Sequence, residues 1–419
     1  MSATLTLGLS LSLSGAYAAM AQQAEAGVRL FVADVNAGGG VRVGGRRYEL
    51  ALTLHDDQSD RARCAEIYRK LCVEEPVDLL LGPYSSGLAR AAAPIAEQAR
   101  RVFINHGGAA ADLYKHGYRM VVGVLSPAEE YFAGFARLLA TLKYWRKRAA
   151  IVSAPTAFAR EVADGFESVC AERAIRRKGV RVRLKYRGKF DLENTPQVLF
   201  AALRRNRIIA LASAGPYEHD IDVMHAITAA GINLPVLACV AAGLGSFGAE
   251  LGTHADGILG PSQWDDQVDF NPEIGPTPAE FARRMRNAGY GSRCDYPAAQ
   301  AYAAGLLALA ALNEAGSLDQ QRIRAAFSEL RTISFYGDFA IDRVTGRQIG
   351  HKVLLVQWHT GRKVIVEPEQ HADKGELEFP TGLRLLMAGW QMLKLKRREP
   401  EADEIGDPAA EDKDERGQS

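Results

Sequence analysis

The sequence predicts a two-lobed α/β protein with mostly parallel sheets, and three observations carry that reading. Short apolar runs alternate with longer amphipathic stretches from the start to about residue 260. That alternation breaks near Val124 and again near Gly260. A pair of apolar strands then returns late, ending in Val353-Leu354-Leu355-Val356-Gln357-Trp358. Strands separated by helices imply parallel sheets joined by right-handed crossovers, and two breaks with a late return imply two lobes linked by several crossings.

The expected strands, in order, are Leu5 to Leu13, Tyr48 to His55, Leu79 to Gly82, Val102 to Asn105, Met120 to Val124, Ala149 to Ser153, Val180 to Tyr186, Ile208 to Ala212, Val236 to Ala238 and Gly257 to Leu259. Between them, Ala19 to Asn36, Arg61 to Glu74 and Ala157 to Arg173 place apolar residues three and four apart, as amphipathic helices do. Pro278 to Gly316 reads as two helices, and Gly337 to Val366 as paired strands. One lobe is therefore expected from residues 3–123 plus 262–335, the other from 124–261 plus 336–368. A cleft between such lobes is the default place for a ligand.

The opening stretch is the most informative. An apolar run ends in Ser14-Gly15-Ala16-Tyr17 and leads into a long amphipathic segment closing at Asp34-Val35-Asn36-Ala37-Gly38-Gly39-Gly40. A strand entering a helix in this way sets free backbone N–H groups at the strand's carboxyl end, where a small anionic or polar group can dock. Leu5 to Leu13 followed by Ala16-Tyr17-Ala18 also imitates a secretion signal. Such a signal starts with positive charge, and the first basic residue here is Arg29, so the segment is expected to remain as the first strand.

Length and composition narrow the class. At 419 residues the chain fits two domains, and its 47% hydrophobic and 24% charged content is that of a globular protein. With 51 basic and 50 acidic residues there is no global field to hold nucleic acid. Cys64, Cys72, Cys170, Cys239 and Cys294 show no metal-ligand spacing, and Cys64 and Cys72 lie too far apart along one helix for a disulfide. No metal or cofactor is implied. Residues 369–419 differ from the rest: Gly382 to Arg398 reads as a short basic amphipathic helix, suited to touch a membrane or a partner or else packed loosely on its own domain, and Glu399 to Ser419 as a disordered acidic segment.

Two turns carry chemistry of their own. Gly82-Pro83-Tyr84-Ser85-Ser86-Gly87 follows an apolar strand and precedes a helix expected to begin near Leu88, so Ser86 would offer a hydroxyl and an N–H at a helix start. A plain helix cap explains the same residues. Asn105-His106-Gly107-Gly108-Ala109 likewise exposes backbone after a strand, with glycines that would let a ligand approach. His106 is expected at the cleft mouth, as a pH-dependent ligand partner or as a structural hydrogen bonder. A hydrolase built on Ser86 and His106 is disfavoured because Ser86 lacks the Gly-x-Ser-x-Gly elbow.

In order and spacing, Ser14-Gly15-Ala16-Tyr17, Asp34 to Gly39, His55-Asp56-Asp57-Gln58-Ser59-Asp60, Gly82 to Gly87, Ala229-Ala230-Gly231, Tyr302-Ala303-Ala304 and Gln357-Trp358-His359 resemble the type I periplasmic binding proteins of the leucine/isoleucine/valine branch, from about Leu5 to Pro368. The resemblance implies two Rossmann-like lobes that close over a small molecule and hand it to an ABC transporter permease. It implies a periplasmic location and no catalysis. A cytosolic or receptor-type ligand sensor of the same fold is the alternative, favoured by the tail and by the lack of a visible signal.

The carry-over of binding residues is incomplete. The serine that holds the ligand carboxylate matches Ser86, beside Ser85. The threonine that helps hold both charged ends falls at Ala109, the tyrosine of the opposite lobe at Phe158, and a second aromatic at Pro216 with Tyr217 next to it. The acidic residue that pairs with an ammonium falls at Val240. Tyr17, Met20, Phe158, Tyr217, Val240, Trp264 and Tyr302 are expected to make an apolar, aromatic-lined cleft with Ser85, Ser86, His106, Gly107, Gly108 and Ala109. Each aromatic is equally explained as core. An ammonium buried without a carboxylate is costly, so the expected ligand is a neutral or monoanionic acid or amide and not a zwitterionic amino acid.

Overall fold

The computed structural model describes residues 3–142, 147–176, 182–190, 196–372 and 377. The expected basic helix at 382–398 and the acidic segment at 399–419 lie outside the described residues.

The chain opens with β1 (Ala3–Leu11), α1 (Ala18–Ala37), β2 (Val41–Val43), β3 (Arg46–Asp56), α2 (Arg61–Arg69), β4 (Leu79–Leu81), α3 (Ser86–Gln98), β5 (Phe103–Asn105) and β6 (Val121–Gly123). These strands form one sheet in the order β2-β3-β1-β4-β5-β6, parallel except for the β2–β3 hairpin. The segment that imitates a signal is thus an inner strand, with Leu5, Leu7, Leu9 and Leu11 fully buried.

A second run follows: α4 (Ala133–Thr141), β7 (Lys147–Ser153), α5 (Ala157–Arg176), β8 (Val182–Lys189), α6 (Pro196–Asn206), β9 (Ala210–Ala214), α7 (Tyr217–Ala229), β10 (Val236–Cys239), α8 (Ser246–Leu251) and β11 (Leu259–Ser262). Then come α9 (Pro278–Asn287), α10 (Tyr296–Ala315), α11 (Gln320–Glu329), β12 (Thr332–Ser334), β13 (Gly337–Phe339), β14 (Leu354–His359) and β15 (Arg362–Glu367). The second sheet runs β15-β14-β11-β10-β9-β7-β8, parallel from β11 to β8 and closed by the antiparallel β14 and β15. Parallel strands are covered on both faces, which is why they read as continuous apolar runs such as Leu79-Leu80-Leu81.

Helices α9 and α10 return to the first sheet. α1 and α10 pack closely at Gly27, where a Cβ would fall 2.1 Å from the carbonyl oxygen of Ala298. Residues from 336 on were expected in the second lobe, and the structure divides them. Gly337 to Phe339 pairs with Thr332 to Ser334 instead of with Val353 to Trp358, and Tyr336, Phe339 and Ile341 are buried in a cluster that holds Leu5, Leu7 and Leu9 of the first sheet together with Leu354 and Val356 of the second. Gly123 N–H donates to the carbonyl of Gly346 at 2.8 Å, so the chain rejoins the second sheet only at β14.

In each sheet the chain reverses its direction of winding once. From β1 it moves to β3 on one side, then returns to β4 on the other; from β7 it moves to β8, then returns to β9. Loops that diverge at such a point leave a crevice at the carboxyl ends of the strands. The two crevices face a common space.

Candidate functional site

A cavity of about 420 Å³ occupies that space. Its walls come from the loops and first helical turns after β1 (Ala16, Tyr17, Ala19, Met20), β4 (Tyr84 to Gly87), β7 (Pro155 to Phe158) and β9 (Gly215 to Glu218), with Val240, Leu244 and Ser246 after β10 and with Tyr296 and Gln300 on α10. Five helices of ten or more residues, α1, α3, α5, α7 and α10, begin at its edge, as do the shorter α2 at Arg61 and α8 at Ser246. Their dipoles favour negative charge in that space, while Ser85, Thr156 and Asp295 take N–H groups at the starts of α3, α5 and α10. The first turns of α1 and α7 have no side-chain cap.

Charged side chains add to that bias. Arg61 lines the cavity and lies across the start of α3, its Nη2 3.0 Å from where a Cβ on Gly87 would stand. It is exposed and, among the described residues, in no ion pair. Arg90 also reaches the cavity but is neutralised by Asp112 at 2.8 Å and Glu161 at 3.7 Å. The acidic residue of the lining is Glu218, exposed at the rim. Asp220, two residues further along α7, is buried with its oxygens taken by Ser213 Oγ at 2.7 Å, Ala241 N–H at 2.9 Å and His219 Nδ1 at 3.2 Å, so it is not free for a ligand.

Of the residues singled out in the sequence, Tyr17, Met20, Ser85, Ser86, Gly107, Ala109, Phe158, Tyr217 and Val240 stand together in the lining. Ser86 is buried, and its Oγ accepts from Ala110 N–H at 3.1 Å, which leaves the hydroxyl proton to donate. Ser85 caps α3 through Leu88 N–H and holds φ +141°, a region ordinarily left to glycine. Helix α3 thus begins two residues earlier than the expected Leu88, placing Ser86 in its first turn. Phe158 meets Tyr131 edge to face at 5.3 Å.

Four residues stand elsewhere. His106 is not at the cleft mouth: its ring is fully buried, and burial pushes its pKa down to about 4, so it is neutral. Gly108 is not in the lining, and the glycine pair serves loop packing more than ligand approach. A Cβ on Gly107 would fall 2.3 Å from the carbonyl of Pro83, and one on Gly108 2.6 Å from Ala89. Trp264 is core, its Nε1 donating to the Phe335 carbonyl at 2.9 Å and its ring edge-on to Phe281. Tyr302 is core as well, its hydroxyl donating to Asp34 at 2.8 Å beside Arg284.

Gln23, Arg61, Tyr84, Tyr131, Glu218, Tyr296 and Gln300 are lining residues that sequence reasoning missed. Tyr84 sits inside the Gly82 to Gly87 motif, Arg61 directly follows His55 to Asp60, and Gln23 lies three residues past Met20 on one face of α1, so each had a local signal. Burial pushes the phenol of Tyr84 up to about 12 and raises those of Tyr131 and Tyr296 further, leaving all three neutral hydrogen bonders. Two polar groups tie the lobes beside the cavity. Glu161 on α5 accepts from Ala111 N–H at 2.6 Å and Asp112 N–H at 3.3 Å on the first lobe, and burial raises its pKa. Asp295, the cap of α10, reaches Gly245 N–H and Lys363 Nζ on the second.

Two parallel sheets meeting at their winding reversals, with a cavity between them, define a two-lobed ligand-binding protein of the α/β class. The chain belongs to the periplasmic binding protein family, whose profile matches residues 4–363. Among solved structures, a putative branched-chain amino acid ABC transporter protein from Silicibacter pomeroyi superposes with a TM-score of 0.76 at 15% identity, covering 90% of this chain and 99% of that one. The leucine-binding protein LivK from Thermotoga maritima gives 0.72 at 18% identity, covering 87% and 98%. The branched-chain amino acid binding protein LivJ from Streptococcus pneumoniae, in complex with isoleucine, gives 0.70 at 19%, covering 87% and 100%. At these identities the likeness establishes the fold.

Proposed function

We propose that the protein is the solute-binding component of an ABC-type uptake system, acting in the periplasm and closing its lobes over a small carboxylate-bearing molecule with an apolar or aromatic body. The observation that carries this reading is the charge balance of the cavity: five helix starts and Arg61 face a space whose one acidic residue, Glu218, is exposed at the rim. A carboxylate docked at Ser86 and the start of α3 gains charge-assisted hydrogen bonds, each worth about 1.5–3 kcal/mol. Met20, Phe158, Tyr217 and Val240 supply apolar wall for the body of the ligand. Among the described lining residues, an ammonium has no buried carboxylate to meet.

The second reading is a branched-chain amino acid. It is favoured by Glu218, which could pair with an ammonium across the rim, and by the ligand of the isoleucine-bound relative. Competitive titration of leucine against 4-methylpentanoate, which has the same body without the amino group, separates the two. The acid should win by at least about tenfold, or 1.4 kcal/mol. Submicromolar leucine binding would establish the second reading. A thermal-shift screen of aromatic and short organic acids, amides and amino acids identifies the ligand class, because a ligand that binds only the folded form raises the midpoint.

A further inference from the structure

Gln23 is 9% exposed and lines the cavity, and its Oε1 is a buried acceptor with no donor in the protein. It lies one turn of α1 before Gly27, where that helix is locked against α10, and Tyr296 and Gln300 of α10 line the same cavity. While the lobes are open, water can serve this oxygen. Closing them over a ligand that brings only acceptors strips the water and leaves the oxygen unpaired, which is the expensive outcome for a buried polar atom.

An ionised carboxylate is acceptor-only, so the group that suits Ser86 and the α3 start can meet the Nε2–H donors of Gln23 but cannot satisfy its Oε1. We propose that Gln23 is a specificity-determining residue of the cleft, and that the ligand carries a neutral hydrogen-bond donor, a hydroxyl or an amide N–H, in addition to its carboxylate. This inference rests on the carboxylate reading above. A neutral donor suffices, because an amide oxygen pairs with N–H or O–H without having to offset the desolvation of a full charge. The cavity then selects hydroxy acids or amide acids over their unsubstituted analogues, as a site with a fixed polar group rejects a ligand lacking the matching one.

The test is calorimetric titration of the wild type, Gln23→Met and Gln23→Glu at pH 8 with three matched pairs of acids: 4-methylpentanoate and 2-hydroxy-4-methylpentanoate, benzoate and 4-hydroxybenzoate, 4-oxopentanoate and succinamate. In at least one pair the donor-bearing acid should bind the wild type about tenfold more tightly. That ratio should fall to within about twofold in Gln23→Met, which keeps the side-chain length but lacks the acceptor. Gln23→Glu should weaken every acid the wild type binds, since it adds a like charge to the cavity. Thermal denaturation checks that both variants are folded, and the wild-type ratios stand without either variant. Acids that bind with no pair discriminated overturn the role of Gln23 and leave the carboxylate reading intact. A preference that persists in Gln23→Met also overturns it. Binding of none of the six acids overturns the carboxylate reading and this inference with it.

Discussion

Replacing Lys363 by methionine should destabilise the protein by about 3–5 kcal/mol, because it strands two buried carboxylates. Lys363 Nζ lies 3.2 Å from Asp265 Oδ2 and 3.2 Å from Asp295 Oδ1, and donates to the Gly243 carbonyl at 3.0 Å. The Asp265 and Asp295 side chains are only 3% and 10% exposed. At that distance and an effective dielectric of about 20, each pair attracts by about 5 kcal/mol, against which stands the desolvation of the lysine that methionine avoids. Burial alone would lower the lysine pKa; Asp295 and Asp265 outweigh it and hold it above its ordinary value, so the cation is fully charged at neutral pH. The assay is urea unfolding followed by the fluorescence of the four tryptophans, of which Trp264 and Trp358 are buried in the fold. Stability should be compared with the wild type at pH 7 and pH 5. Asp266 is raised by burial and by Asp265 and loses the lowering influence of Lys363 in the variant, so the folded form binds more protons there and the deficit narrows as pH falls. Adding Asp295→Asn should recover part of the loss. A deficit below about 1 kcal/mol at pH 7, or one that does not change with pH, would refute the argument that the cluster depends on its cation.

Ser86→Ala should weaken acid binding by about 1–3 kcal/mol, read by calorimetry, since the donated hydroxyl proton is lost. Unchanged affinity would reduce Ser86 to a fastener for Ala110. His106 and His351 are each held down to about 4 by burial, against about 6.5 when unfolded, so the unfolded chain takes up the first protons. Their contribution is present above pH 6.5 and is lost as pH falls toward 4, by about 3 kcal/mol per histidine. His106→Gln should therefore make urea stability less steep between pH 6.5 and 4.5, and an unaltered slope would contradict a neutral buried ring.

Most strands were legible because they fill inner places in covered sheets, so that their apolar runs stand out against the flanking helices; β6 and β8 lie at sheet edges. β2 was not: Val41-Arg42-Val43 is too short to show a period, with its middle residue turned to solvent. The lobe crossing after β13 was misread for a related reason. Gly337 to Phe339 and Leu354 to His359 are both strands, and nothing local says that the first pairs back to Thr332 to Ser334 while the second crosses to β11.

The cleft divides along the same line. Ser86 was found because a turn at the carboxyl end of a parallel strand has a fixed meaning, and Tyr217 through the family resemblance, while Tyr84 and Glu218 in the same kind of turn were missed. Aromatics away from such turns were misplaced, since a large apolar side chain reads alike in a core and in a cavity wall. Tyr302 is settled by Asp34, 268 residues earlier, and Trp264 by the Phe335 carbonyl. Tyr296, six residues before Tyr302 on the same helix, is the one that reaches the cavity because it occupies the helix start. What a ligand would meet is therefore written less in any one motif than in the convergence of five helix starts. Its sign could be read only once the carboxylates had been located, with Asp220 and Asp295 engaged by protein partners and Glu218 at the rim.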